Sequence, residues 1–411
     1  MKQQLIILTM FIIGVAFCLS ESGKAQPNIA NELPAHEKSI AESSNKFGFK
    51  LFQKIIKQDA DKNIFMSPMS ISMALAMVYN GAEGETKKEM AKTLEMADLT
   101  IDEMNDSYHS LITMFANLDP EVTFQIANSI WYRQGFDVEP DFIELNSTCF
   151  NAQVNALNFN DPAAVDIING WVSENTNDKI KEIVSRPIPP DMVMYLINAI
   201  YFLGNWTDQF NTASTKDDKF TLLDGSQTDC RMMFQDRRFS YLENDEFQAV
   251  NLPYGNKDFS MSVILPKPDI NIDGLIDSLN QDSWQEWRNS FTFRPNKIKL
   301  YLPKFKLEYE IELSDILTAL GMGDAFSPSA DFTGINKSGE VFISFVKHKT
   351  FVKVDEEGTE AAAVTSVGMM TSAMPMESIV MRVDRPFIFI ITEDQSQSVV
   401  FIGKIIEPVW E

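Results

Sequence analysis

The chain contains three histidines, His36, His109 and His348, and these are the first residues to consider for catalytic or metal-binding chemistry. They lie far apart, and none stands in a metal-ligand spacing such as His-Glu-x-x-His. The sequence has no Gly-x-Ser-x-Gly motif, no Walker-type loop and no Gly-x-Gly-x-x-Gly loop. No cysteine has a Cys-x-x-Cys partner. We therefore expect no enzyme active site, no bound metal and no cofactor.

Residues 355–382 differ from the rest of the chain and read DEEGTEAAAVTSVGMMTSAMPMESIVMR. An acidic start gives way to Gly358 and then to small residues, and no proline occurs before Pro375. Proline lacks a backbone N–H and removes a hydrogen bond from a sheet. The first half of the segment therefore keeps every N–H that a strand needs.

If the same segment formed a strand, its side chains would alternate between two faces of different composition. One face would carry uncharged and mostly small side chains: Thr359, Ala361, Ala363, Thr365, Val367 and Met369. The opposite face would carry Glu360. The segment can thus be an exposed loop or a central strand. Composition alone favours a flexible linker, or a helix because of alanine's helix propensity.

The elements around this segment follow from hydrophobic periodicity. Helices are predicted at residues 41–56, from Ser67-Pro68 to about Gly81, and around 84–94, 101–117 and 162–176. Strands are predicted at 122–132, 192–202, 259–265, 298–306, 341–354, 387–392 and 399–405. Helices come first and strands later, which indicates an α+β fold.

The N-terminal residues predict export. Lys2 precedes an apolar stretch, Leu5 to Phe17, that is too short to span a bilayer. We expect residues 1–25 to be a signal peptide. The alternative is a lipoprotein signal ending at Cys18, which would anchor the protein at a bacterial outer surface. Residues 26–38 predict a flexible leader, and residues 39–411 a single domain.

The formal charge of −23 argues against nucleic acid and against polyanions such as glycosaminoglycans. The predicted helix near residues 100–117 is itself acidic. Beyond the signal only Cys149 and Cys230 remain, which could form one bridge or stay as two thiols. Asn105, Asn146, Asn205 and Asn336 each begin an Asn-x-Ser/Thr sequon, which matters only in a eukaryotic export pathway.

Several motifs, in order along residues 40–408, resemble the serpin family. Asp355 to Ala363 resembles the proximal hinge of a serpin reactive-centre loop. The other matches are NIFMSPMSI at 63–71, LINAIYF at 196–202 with Gly-Asn-Trp at 204–206, LPKF at 302–305, DRPFIF at 384–389 and FIGK at 401–404. One position departs from the pattern: Asn205 stands where many relatives carry a basic residue.

The resemblance implies a serpin fold of three β-sheets and eight to nine helices, with an exposed reactive-centre loop at 356–382. It implies a serine protease inhibitor that acts as a suicide substrate. The target would cut the loop, and the cleaved loop would insert into sheet A and trap the acyl-enzyme. The partners would be serine proteases, and cysteine proteases are a further class. We expect a secreted monomer. The alternative is a non-inhibitory serpin that serves as a carrier, chaperone or storage protein.

The resemblance also assigns roles to residues. The hinge would comprise Glu356, Glu357, Gly358, Thr359, Glu360, Ala361, Ala362 and Ala363. A shutter beneath sheet A would comprise Ser67, Ser70, Asn198 and His348, and a breach at its top Trp206 and Lys304, with Lys304 able to pair with Glu356. The reactive bond would join Ser372 to Ala373, with Met370 and Thr371 as alternative cleaved residues. A small cleaved residue suits elastase-like or subtilisin-like proteases, and Met370 would suit chymotrypsin-like ones.

Overall fold

The computed structural model describes residues 34–294, 296–359 and 379–410. Within these ranges it contains nine α-helices. They are α1 (Ala35–Gln58), α2 (Pro68–Tyr79), α3 (Gly84–Thr93), α4 (Ile101–Phe115), α5 (Pro140–Cys149), α6 (Ala163–Asn175), α7 (Ile272–Ser278), α8 (Gln281–Ser290) and α9 (Ser314–Leu320).

The same residues contain seventeen strands. They are β1 (Ile64–Met66), β2 (Val122–Arg133), β3 (Gln153–Leu157), β4 (Met194–Asn205), β5 (Lys216–Thr221), β6 (Gln227–Arg237), β7 (Ser240–Glu243), β8 (Phe247–Tyr254), β9 (Phe259–Pro266), β10 (Thr292–Phe293), β11 (Ile298–Pro303), β12 (Phe305–Glu312), β13 (Lys347–Val354), β14 (Gly358–Thr359), β15 (Ile379–Arg382), β16 (Phe387–Glu393) and β17 (Val399–Ile405).

These strands form three sheets, the number that the resemblance to serpins predicts. The six-stranded sheet has the order β12-β13-β14-β4-β2-β3, and its strands pair antiparallel except for β2 and β3. An antiparallel seven-stranded sheet has the order β1-β17-β16-β9-β8-β7-β10. A four-stranded sheet has the order β15-β11-β6-β5. The six-stranded sheet contains Gly358 and Thr359 of the expected hinge and corresponds to the expected sheet A.

Local signals explain where the helices begin. Ser67 caps α2 by accepting a hydrogen bond from the backbone N–H of Ser70, and Pro68 occupies the first turn. Thr100 and Glu103 form a reciprocal capping box at α4. Helix α1 begins at Ala35, inside the segment that was expected to be leader. Its first turn is held because Glu37 is buried and accepts a hydrogen bond from Ser110.

Two apolar runs do not form the single strands that periodicity predicts. The run 298–306 is divided at Lys304 into β11 and β12, which belong to different sheets. The run 341–354 becomes a strand only from Lys347. Its earlier part bonds elsewhere, because Ile343 donates to the Ala325 carbonyl and Val346 to the Ser314 hydroxyl. Periodicity reports burial, but it does not report which neighbour satisfies the backbone.

The core has two parts in the described residues. The main cluster joins α1, α2 and α4 to the seven-stranded sheet, and a smaller one packs α6 on the lower halves of β2 and β4. Cys149 and Cys230 are free thiols. No described helix is long and apolar enough to cross a membrane, and no group of three potential metal ligands occurs among the described residues.

Three of the four sequon asparagines are buried: Asn105 is 2% exposed, Asn146 0% and Asn336 8%. Each uses its side-chain amide in an internal hydrogen bond. Asn105 donates to Asn80, and the other two donate to the backbone carbonyls of Phe142 and Asp137. A glycan on any of the three would require this part of the fold to open.

Candidate functional site

The candidate site is the seam between β4 and β13. Strand β14 pairs antiparallel with both, so β4 and β13 run in the same direction. Among the described residues the two long strands share no backbone pair, and only the two residues of β14 join them. A single strand that enters the seam can thus pair antiparallel with β4 on one side and with β13 on the other.

Residues Gly358 and Thr359 hold the top of this seam. Gly358 pairs with Asn205, and Thr359 pairs with Gly204 on one side and Val354 on the other. Thr359 is 3% exposed, and its hydroxyl lies 2.6 Å from the Tyr254 hydroxyl. A Cβ on Gly358 would come within 2.0 Å of the Gly204 carbonyl oxygen. The close approach of the two backbones therefore requires glycine at position 358.

The chain leading into β14 is held through its carbonyl groups. The backbone N–H of Trp206 donates to the Glu357 carbonyl at 2.8 Å, and the indole N–H of Trp206 donates to the Asp355 carbonyl at 2.9 Å. The Phe210 N–H donates to the Glu356 carbonyl at 2.8 Å. The Trp206 ring stacks on Tyr254 with centroids 4.5 Å apart. Trp206 thus fixes both the backbone and the packing at the breach.

Lys304 and Glu356 form a buried ion pair at the same place. Lys304 Nζ lies 2.6 Å from Glu356 Oε2, and their side chains are 14% and 8% exposed. Thr215 donates to the other carboxylate oxygen at 2.6 Å. Burial opposes ionisation of Glu356, but the bonds from Lys304 and Thr215 outweigh it and lower the pKa of this carboxyl. The carboxylate is therefore ionised at neutral pH with both oxygens bonded.

The four residues expected in the shutter are linked in one hydrogen-bonded chain. The Ser67 backbone N–H donates to His348 Nε2 at 3.1 Å, and the Ser67 hydroxyl donates to the Val400 carbonyl at 2.7 Å. The Ser70 backbone N–H donates to the Ser67 hydroxyl, and the Ser70 hydroxyl donates to Asn198 Oδ1 at 2.5 Å. Ser67 thus caps α2 and also joins the helix to β13 and β17.

His348 is neutral in this network because its Nε2 accepts a hydrogen bond. The ring is 6% exposed, and burial lowers its pKa to about 3. Below the ring the seam widens into a cavity of about 140 Å³, lined by α2, the start of β4 and residues 341–348. The polar chain therefore lies at the upper end of an otherwise largely apolar space.

Three participants were missed by sequence reasoning. Asn128 on β2 accepts from the Asn198 amide at 2.7 Å and donates to the Phe150 carbonyl, so it extends the shutter by one strand. Thr215 and Tyr254 complete the breach. Asn128 had a detectable signal, since it is a polar amide within a largely apolar predicted strand. Thr215 and Tyr254 come from distant segments and had none.

The remaining expected positions lie outside the described residues. They are Glu360, Ala361, Ala362 and Ala363 of the hinge, the bond between Ser372 and Ala373, and the alternative cleaved residues Met370 and Thr371. The proposed signal peptide and Cys18 also lie outside them. Asn205 is described, and its side-chain oxygen is buried without a hydrogen-bond partner.

Comparison with known proteins gives a consistent result. The family model described as serpin, a serine protease inhibitor, matches residues 42–408. Human neuroserpin is 33% identical over 386 residues, which cover 90% of this chain and 92% of neuroserpin. Leukocyte elastase inhibitor from Bos taurus is 32% identical over 380 residues, 90% of this chain and 99% of that protein.

A solved structure of human thyroxine-binding globulin complexed with thyroxine superimposes with a TM-score of 0.83. It is 26% identical, and the alignment covers 92% of this chain and all of that one. The fold is thus shared with proteins whose names describe both protease inhibition and small-molecule binding.

We predict that His348 makes the native state sensitive to mild acid. The unfolded histidine has a pKa near 6.5, whereas the folded ring stays neutral down to about pH 3. Between these values the unfolded state binds the extra proton, so stability falls as pH falls, by up to about 1.4 kcal/mol per pH unit. His348→Gln keeps an acceptor for Ser67 and should flatten the slope measured by urea unfolding between pH 7 and pH 5. His109→Gln, at an exposed position, is the control and should keep the wild-type slope. Equal slopes for wild type and His348→Gln would contradict the assignment.

We predict a large cost for breaking the breach ion pair. Glu356→Gln leaves the Lys304 ammonium buried without a counter-charge, which typically costs about 3–5 kcal/mol. Glu85→Gln is the matched control, because it breaks the ion pair with Lys88, in which the side chains of Glu85 and Lys88 are 68% and 74% exposed. That exposed pair should contribute no more than about 1 kcal/mol. Denaturant unfolding at neutral pH measures both, and similar losses in the two variants would show that burial of the pair is unimportant.

Proposed function

The chain belongs to the serpin family, and we propose that it is a serine protease inhibitor that acts as a suicide substrate. One observation carries the proposal. The hinge residues Gly358 and Thr359 already lie between two parallel strands that have no pairing with each other among the described residues. Continuation of that strand after loop cleavage is the step that a trapping inhibitor needs.

The register of β14 defines where the rest of the loop would go. Each further loop residue would pair one position back along β4 and along β13, so Thr365 would face Asn198 on one side and His348 on the other. Met369 would face Met194, where β4 begins. The seam would therefore pair residues 359–369 with β4, but only residues 359–366 with β13, which begins at Lys347. Residues 370–372 would then form a tether that ends at Ser372.

Insertion over this length moves the cleaved end a long way. Ten steps at about 3.3 Å per residue carry Met369 roughly 33 Å from the level of Thr359. In the proposed mechanism the target's serine attacks the Ser372 carbonyl and forms an ester. The peptide bond to Ala373 breaks, and the new amine leaves with a proton. Insertion would then drag the tethered protease along the sheet before water hydrolyses the ester.

The side chains of the hinge suit rapid entry. Thr359 points into the core beside Tyr254, and residues of the same face are Ala361, Ala363 and Thr365. None is charged or larger than threonine, so no desolvation or overpacking opposes the first steps of insertion.

This pattern favours an inhibitor over a carrier. A carrier is the second candidate function, because the fold is shared with thyroxine-binding globulin. Cleavage of the loop separates the two: an inserting loop raises the melting temperature strongly, and a non-inserting loop does not.

Target preference follows from the residues around the bond. Ser372 presents a small side chain, and no lysine or arginine lies between residues 356 and 381. We propose elastase-like or subtilisin-like proteases as targets, which agrees with the likeness to leukocyte elastase inhibitor. Chymotrypsin-like enzymes would act at Met370, and cysteine proteases are a further class. We also propose that residues 1–25 direct secretion, which would bring the inhibitor to extracellular proteases.

We predict that Thr359→Arg converts the inhibitor into a substrate. Thr359 already lies in the seam, 3% exposed beside Tyr254, and a guanidinium could not keep this place without burying its charge. The loop would then start from an unpaired base, and its insertion would be slower than deacylation. Wild-type protein should form an SDS-resistant adduct with pancreatic elastase or subtilisin, and Thr359→Arg should be cleaved without adduct. Thr359→Ser keeps the hydroxyl and should behave as wild type. An equal yield of adduct from Thr359→Arg would refute the mechanism.

We predict that the target cuts between Ser372 and Ala373. Mass spectrometry of the peptide released from the adduct should show a new N-terminus at Ala373. A new N-terminus at Thr371 or Ser372 would instead place the cleaved residue at Met370 or Thr371. Cleavage outside residues 370–373 would contradict the length of the tether.

A further inference from the structure

The indole of Trp410 lies against two lysines at the breach. Lys304 Nζ is 4.0 Å from the ring centroid and Lys353 Nζ is 5.5 Å from it. Both distances fall within the roughly 6 Å range over which an aromatic face attracts a cation. Nothing in the sequence pattern pointed to this residue, because Trp410 follows the last strand by five positions.

The two lysines hold consecutive acidic residues at the base of the hinge. Lys304 pairs with Glu356 at 2.6 Å, and Lys353 pairs with Asp355 at 2.8 Å. The Asp355 and Glu356 side chains are 9% and 8% exposed. A single ring therefore contacts the cationic partner of both anchors from which β14 starts.

These cations need a fixed neighbour. A lysine ammonium is carried by a flexible four-carbon chain. The ammonium groups of Lys304 and Lys353 lie against the same ring and repel each other. The negative face of an indole attracts both groups without competing for the carboxylates, since it accepts no conventional hydrogen bond from them. The ring can thus limit the positions that Lys304 and Lys353 adopt.

Trp410 is itself held on a rigid element. The Val409 carbonyl accepts a hydrogen bond from the Lys306 N–H at 2.7 Å, and Lys306 lies on the edge strand β12. Pro408 is buried. Lys306 also pairs across the sheet with Lys353. The tail is therefore fixed to the strand whose neighbour carries one of the two lysines.

We propose that Trp410 is a positioning residue for hinge insertion: it holds Lys304 and Lys353 on Glu356 and Asp355 and so fixes the pivot about which the cleaved loop enters the seam. This inference deepens the proposed inhibitory function and rests on it. If Lys304 and Lys353 are less well held, the base of the loop becomes more mobile. Thr359 and the residues after it then pair more slowly with the seam strands, so more acyl-enzyme is hydrolysed before insertion is complete.

The first test is made on uncleaved protein and does not depend on inhibition. Trp410→Leu keeps an apolar side chain but removes the ring face, and Trp410→Phe keeps a ring. We expect Trp410→Leu to lower the melting temperature by about 2–4 °C and Trp410→Phe to lose about half as much. In a Lys304→Met background the Trp410→Leu effect should fall by half or more, because the cation is gone. Trp287→Leu, at a partly buried indole packed on Phe247, should cost the same in both backgrounds.

The second test measures the trapping reaction with pancreatic elastase. Trp410→Leu should consume about two- to fivefold more inhibitor per elastase trapped than wild type, the ratio expected for a partly exposed cation–π contact, with Trp410→Phe in between. Trp287→Leu should leave the ratio unchanged.

The outcomes separate the two proposals. Additive effects of Trp410→Leu and Lys304→Met, together with an unchanged trapping ratio, overturn the role of Trp410 and leave the inhibitory function intact. Failure of wild-type protein to trap any protease overturns the function, and coupling between Trp410 and Lys304 would then still establish that the ring positions the lysine. Equal behaviour of Trp410→Leu and Trp410→Phe also overturns the proposal, because apolar contact alone would then explain the effect.

Discussion

The direction of two strands governs the rest of this structure. β4 and β13 run the same way, and among the described residues only two antiparallel residues, Gly358 and Thr359, connect them. Parallel pairs are slightly less stable per residue than antiparallel ones, so a strand that enters between them in the opposite sense gains two favourable ladders. Residues following Thr359 have the required direction because they continue β14. The proposed trapping function would use this arrangement directly.

The proposed insertion would require the buried polar groups beside the seam to separate and then to bond again. Ser67, Ser70, Asn198 and Asn128 form hydrogen bonds that cross from α2 to β4 and β2, and His348 joins them from β13. Apolar side chains at this place would pack stably, but they would not distinguish an empty seam from one that contains a further strand. Polar side chains have a defined set of partners and carry a penalty when unpaired. An entering strand would bring the Thr365 hydroxyl to the level of Asn198 and His348, where it could join this network.

Sequence reasoning reached the fold, and it assigned the breach and shutter by resemblance, because both depend on short local motifs. The Ser67-Pro68 cap, the apolar run of β4 and the glycine at 358 are all readable along the chain. It failed where partners come from distant segments. Thr215 donates a hydrogen bond to Glu356 although 141 positions separate them in sequence, and Tyr254 bonds to Thr359 over a separation of 105. No local pattern predicts either contact. It also merged β11 with β12, since alternation cannot show that Lys304 marks the passage from one sheet to another.

The base of the loop and its remainder face opposite requirements. In the proposed mechanism the remainder must leave solvent quickly, and the side chains at its start are mostly small. The base must not move, because any slack there lengthens the search for the first new backbone pair. Several interactions meet at that base: the buried pair of Lys304 with Glu356, the partly exposed pair of Lys353 with Asp355, three hydrogen bonds to consecutive carbonyls and a stacked pair of rings at Trp206 and Tyr254. Hydrolysis of the acyl-enzyme by water would proceed at a rate that the loop base does not change. In the proposed mechanism a fixed loop base would speed only the competing insertion step, so stability at Asp355 to Gly358 would favour insertion over hydrolysis.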